Sequence, residues 1–229
     1  MLRYQLNTQS ATIVLLGKFN PSIFSPAWLR LVGAINEAEL DAAKVTVIHP
    51  EITRFEIDDV TIDASIDRFS VSSASEPFVR ILDLVQAIFA RSLPHTPIRA
   101  LGINYEVEFT LDSAKRRIAL GRALAPTLPW ADFGRRIDSS DDSGMIGVQM
   151  QETLPAGREA GHRMVSITPV RGKLAGVRLA INDHYELSIQ DEVRGADRIM
   201  GVLAETFESS IRESKKIAEQ LSEFAETLK

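Results

Sequence analysis

From Ala196 to Lys229 the chain holds no proline and one internal glycine, Gly201, while Met200, Leu203, Phe207, Ile211, Ala218, Leu221, Ala225 and Leu228 recur at helical spacing. An unbroken helix of that length reaches about 50 Å at 1.5 Å per residue. A compact body built from a chain of this size is only about 45 Å across. The helix must therefore run along the whole body or extend past it. Ile217 and Phe224 widen the apolar stripe beyond a strict coiled-coil seam, which favours packing on the body or in a helical pair. Self-association or contact with a protein partner is accordingly assigned to this helix, with Phe207, Ile211, Leu221, Phe224 and Leu228 as interface candidates.

Elsewhere the period changes from helical to alternating. Between Phe55 and Ile66 apolar residues alternate with Glu56, Asp59, Thr61, Asp63 and Ser65, and the Asp58–Asp59 pair breaks the phase, as in a hairpin or meander with one acidic, wet face. In LPHTPIRALGINYEVEF, residues 93–109, Ile103, Tyr105, Val107 and Phe109 point one way and Asn104, Glu106 and Glu108 the other, which is a half-buried strand. The run ATIVLLG at 11–17 reads as a strand buried on both faces, and further strands are expected at 145–151, 163–170 and 174–182. Ser25 and Pro26 have the chemistry of an N-cap and first helical residue, and the spacing of Trp28, Leu31, Val32 and Ile35 predicts a helix over 26–40. Two more helices are expected over 76–92 and 112–123.

These elements predict an α+β fold: a largely antiparallel or mixed sheet of about seven or eight strands, helices packed on one face, and the long C-terminal helix alongside. Residues 1–195 are expected to form a single α+β domain, with 112–143 as the place where two sub-lobes would meet, and 196–229 the helix.

Composition narrows the functional classes. With 45% hydrophobic and 25% charged residues the chain is of ordinary globular type, and its lack of cysteine excludes disulfides and thiolate chemistry. No apolar run approaches the roughly 18 residues of a membrane span, and the N-terminal run lacks a cleavage pattern. We therefore expect a cytoplasmic protein without membrane contact. The formal net charge is −5, yet 112–137 carries six basic residues against two acidic ones. Lys115, Arg116, Arg117, Arg122, Arg135 and Arg136, with Trp130 and Phe133 to stack on bases, are the nucleic-acid candidates. The acidic balance of the whole chain argues for a solvated basic face instead.

The chemical motifs are sparse. The chain holds no phosphate loop, dinucleotide fingerprint, HExxH or GxSxG elbow. A catalytic site would have to be assembled from distant residues, for which His95, His162, Asp183 and His184 are the candidates, Asp183 as the carboxylate that orients an imidazole. Neither a cofactor nor a metal site is expected. Asp59, Asp63 and Asp67 read as a solvated acidic face, and DSSDDSG at 138–144 as a polar turn.

A leading strand, a meander, the helix PFVRILDLVQAIFARSL, an X-Pro turn and a strand of the form G-(I/L)-x-Y, here Gly102, Ile103, Asn104 and Tyr105, resemble a sporadically distributed family of uncharacterised bacterial proteins, mainly over residues 11–110. The resemblance implies an α+β architecture and a bacterial or phage setting. The expected function is a non-enzymatic protein-binding or assembly role; the alternatives are a small-molecule-binding domain or enzyme using the scattered His and Asp residues, and a nucleic-acid-associated protein acting through 115–136.

Overall fold

The alternating segments pair into one sheet, as a computed structural model describes for residues 5–140, 143–154, 160–187 and 195–228. In chain order the elements are β1 (Gln5–Gly17), α1 (Pro26–Leu31), α2 (Glu37–Ala42), β2 (Lys44–Ile48), β3 (Ile52–Ile57), β4 (Val60–Ser65), β5 (Arg68–Ser73) and α3 (Val79–Gln86), which runs on through a π-helical turn at Ala87–Ser92. Then follow β6 (Ile98–Thr110), α4 (Ala114–Leu124), α5 (Ala131–Asp138), β7 (Val148–Leu154), β8 (Gly161–Pro169), β9 (Gly176–Glu186) and α6 (Asp197–Thr227). The spatial order is β2-β3-β4-β5-β1-β6-β9-β8-β7, with each neighbouring pair antiparallel. The architecture is α+β with a long C-terminal helix, as the periodicities predict.

Three local details differ from the expectation. The helix expected over 26–40 is two helices, because Gly33 adopts a φ of +72° and Asn36 opens a new helix. There the Asn36 side chain accepts from the Glu39 N–H at 3.0 Å and the Glu39 carboxylate accepts from the Asn36 N–H at 2.7 Å, a reciprocal cap that outweighs the continuing apolar period. The sheet has nine strands among the described residues, more than expected, since β2 and the serine-rich β5 lack a strong apolar signal. The connection after α4 folds into α5.

The nine strands fall into two copies of one pattern. β1 and β6 are each 13 residues long; each is followed by two α-helices, then by a meander whose last strand returns to pair with it, then by a helix laid on the sheet. The copies join where β1 and β6 pair antiparallel, and the middle of that paired stretch lies at about the Thr12–Asn104 pair. Following the register outward from there aligns β5 with β9, β4 with β8 and β3 with β7, and sets Met150 in the place of Phe55.

One face of the sheet carries the core. In the first half Phe69 meets Phe24 and Phe89 with ring centroids 4.9 Å apart in each pair. In the second half α6 lies on β6 and β9 and touches α3 and α4, burying Ile199, Leu203 and Phe207 with Val107, Leu179 and Ile181. The opposite face presents short polar side chains along its middle: Ser72, Thr12, Asn104 and Asn182 stand in one row across four strands.

Candidate functional site

The start of α6 is fixed by backbone geometry. Gly195 has a φ of +91°, and a Cβ there would collide with the Pro94 carbonyl, so glycine alone fits. Next to it the Ala196 N–H donates to Pro94 O at 2.8 Å, and Gln86 Nε2 donates to Met200 O at 2.8 Å. With its first turns held this way, α6 passes the beginning of α3 and leaves an open groove of about 500 Å³ between them. Its floor is apolar, made by Pro77, Phe78 and Val79 from the α3 side and by Phe207 and Ile211 from α6. Its lips are charged: Glu208, Arg212, Lys215, Lys216 and Glu219 follow one another along α6, and Glu76 stands opposite.

A hydrogen-bonded chain anchors the groove to the centre of the sheet. Lys215 Nζ donates to Glu76 Oε1 at 2.8 Å, Gln9 Nε2 donates to the same oxygen at 3.0 Å, and the Tyr105 hydroxyl donates to Gln9 Oε1 at 3.0 Å. The Lys215 ammonium holds the Glu76 carboxyl below the usual carboxylate range, with partial burial acting in the opposite direction. The same ammonium lies 5.4 Å from the Phe78 ring centroid, a cation–π contact. This carboxylate and this lysine are therefore held in one arrangement, and the groove is preformed on that side.

The expected interface residues divide. Phe207, 2% exposed, and Ile211 are spent within the chain's own core at the floor of the groove, while Phe224 is 42% exposed near the helix end. Leu221 and Leu228 are half-buried.

The four scattered candidates are not brought together. Asp183 is buried on the helix-covered face, where Arg163 Nε and an Nη donate to its two oxygens at 2.6 and 2.7 Å. This bond raises the Arg163 pKa further above its already high value. His184, next in sequence, points to the opposite face, because strand side chains alternate; Asp183 therefore does not orient it, contrary to the expectation. There His184 stands across from His162 with ring centroids 5.0 Å apart. Burial lowers its pKa below the usual histidine value, and the charge of a protonated His162 adds to that. His95 is exposed in the turn before β6. Among the described residues no three His, Asp or Glu side chains gather at metal-binding distance.

The basic candidates are largely engaged. Arg116 pairs with Asp112 at 2.6 Å and Arg122 with Asp138 at 3.1 Å, Arg135 pairs with Asp132, and Arg117 donates to Leu174 O at 2.6 Å. Arg136 donates to Asp132 O and lies over the Phe133 ring; Lys115 is exposed. These pairings lower the field that phosphates would meet. Of the acidic candidates, Asp59 accepts from Ser73 at 2.7 Å and faces Arg80, Asp63 faces Arg54, and Asp67 accepts from Ser65 at 2.8 Å. The 138–144 turn lies partly outside the described residues.

Glu76, Lys215 and Phe78 in the groove, with Gln9 bonded to Glu76 from β1, are the residues that sequence reasoning missed. They are far apart in the chain, and no local pattern marks a contact between β1, the start of α3 and the middle of α6. No helix among the described residues is long and apolar enough to cross a membrane. Compared with models of known protein families and with curated protein sequences, the chain finds no match.

Proposed function

We propose that this chain is a non-enzymatic protein-binding protein that receives apolar side chains of a protein partner in the groove between α3 and α6. The observation that carries the reading is an open groove of about 500 Å³ whose apolar floor lies beside a file of charges. Along successive turns of α6 the signs run negative at Glu208, positive at Arg212, Lys215 and Lys216, and negative at Glu219. A floor of this size takes one or two large side chains. Alternating charges set the register of a segment lying along the helix more than its affinity. The setting we propose is bacterial, as the family resemblance implies.

An enzyme built from His95, His162, Asp183 and His184 draws no support from their positions, since Asp183 is separated from His162 and His184 by the sheet itself and His95 is exposed in the turn before β6. Photo-crosslinking inside cells tests the binding reading. A benzophenone amino acid placed at Val79 or Glu208 is expected to give adducts with one and the same protein. A third placement at Leu31, exposed and outside the groove, supplies the background. Adducts from the groove no more abundant than from Leu31 would overturn the proposal.

A further inference from the structure

In the first half of the molecule the outer edge of β3 is covered: β2 pairs with it antiparallel, Val45 facing Phe55 and Lys44 facing Glu56. β7 is the counterpart of β3, and among the described residues nothing pairs with its outer edge. The chain between α5 and β7, where a counterpart of β2 would have to arise, contains no strand in its described residues. Among the described residues, therefore, the internal repeat is one strand shorter at the β7 end of the sheet than at the β3 end.

The edge itself is unguarded. Natural edge strands carry lysine, proline or bulges that discourage pairing. VQMQETL has none of the first two, its register with β8 is unbroken, and its one charge, Glu152, is engaged by Arg163 at 3.1 Å. Met150, in the place of the fully buried Phe55, is 70% exposed, and Ile146 just before the strand is 90% exposed.

We propose that β7 pairs antiparallel with β7 of a second copy of this chain, across a dyad at Met150, so that two sheets join into one. The sequence is self-complementary about that point. Met150 faces Met150 on the helix-covered side, Gln149 faces Gln151 on the other, Val148 faces Glu152, and Ile146 faces Leu154. No like charges oppose one another, both exposed apolar side chains become covered, and a dyad normal to the sheet keeps the helices of both copies on one side. A second copy is favoured over an unrelated strand because pairing about Met150 sets apolar against apolar at Met150–Met150 and Ile146–Leu154 and amide against amide at Gln149–Gln151.

A residue on a dyad opposes itself, which gives a specific test. The wild-type protein is expected to sediment as a dimer at high micromolar concentration. Met150→Lys alone and Met150→Glu alone each place like charges face to face, and each is expected to weaken the dimer at least about tenfold. An equimolar mixture of the two is expected to restore it as a heterodimer. Phe224→Ser, on the exposed flank of α6, should leave the dimer unchanged. Circular dichroism checks that the exposed position has not cost the fold. A monomeric wild type, charge variants that stay dimeric, a mixture that stays monomeric, or loss of the dimer in Phe224→Ser would each overturn the proposal.

Discussion

Asp183 and His184 are neighbours in the chain and serve opposite faces of the sheet. Asp183 is 1% exposed and gives both oxygens to Arg163, so removing it leaves a guanidinium buried without its main partner. Asp183→Ala should cost about 3 kcal/mol, the low end for a broken buried pair, because Glu152 still faces Arg163. The double variant Arg163→Met/Asp183→Leu should recover most of that loss; equal losses in urea denaturation for single and double variants would refute this account. His184 behaves differently with pH. Its folded pKa lies below the ordinary 6.5, so above that value both folded and unfolded states are neutral and its contribution is fully present. As pH falls below 6.5 the unfolded chain takes up the proton first, and stability is lost until the lowered folded pKa is passed. His184→Gln should therefore narrow the difference in melting temperature between pH 8 and pH 5.5, and an unchanged difference would count against it. The His162–His184 pairing was half legible in the sequence, since both residues read as lying on neighbouring strands. The strand alternation that separates Asp183 from them was equally readable, and adjacency in the chain is a poor guide to adjacency in a sheet.

At the scale of elements, the two kinds of periodicity account for what the sequence made visible. β4, β6 and α6 follow their apolar patterns closely, whereas β2 has little burial to advertise and the break between α1 and α2 depends on one glycine and a reciprocal cap. The buried face of α6 changes character along its length. Up to Phe207 it buries Ile199, Met200, Val202, Leu203 and Phe207; from Ser210 onward, Ile211 apart, it buries Ser210, Ser214, Ala218, Ser222 and Ala225, almost one small residue per turn. Small side chains permit a close approach of the helix to what it covers, a feature that hydrophobic periodicity underweights because serine is not scored as apolar. Enlarging one of them should therefore destabilise even though it adds apolar surface. Ser214→Leu is expected to cost about 1–3 kcal/mol through overpacking, read as a lower denaturation midpoint at unchanged slope. A gain in stability would mean that the helix stands farther from the body than the burial of Ser214 implies.

The whole molecule is a twofold repeat that the sequence conceals. Topology preserves the repeat while side chains diverge: Phe55 corresponds to Met150, and the Val60–Ser73 pair of the first half to the buried Arg163–Asp183 pair of the second. Burial depends on the class and size of a side chain and not on its identity, so register survives where residue similarity does not. The join between the repeats decides how the protein unfolds. β1 and β6 pair along most of their length, Gln86 and Pro94 hold the first turns of α6, and the Tyr105–Gln9–Glu76–Lys215 chain crosses between the halves twice. A half expressed alone, 1–97 or 98–229, would expose a 13-residue central strand as an edge, with Ile13 and Leu15 or Ile103 and Val107 stripped of cover. Loss of that burial exceeds what either small core can spare. Calorimetry of the intact chain should accordingly show one cooperative transition, and neither half alone should show any. Two resolved transitions in the intact chain, or a cooperative melt in an isolated half, would establish the repeats as independent folding units that merely share a sheet.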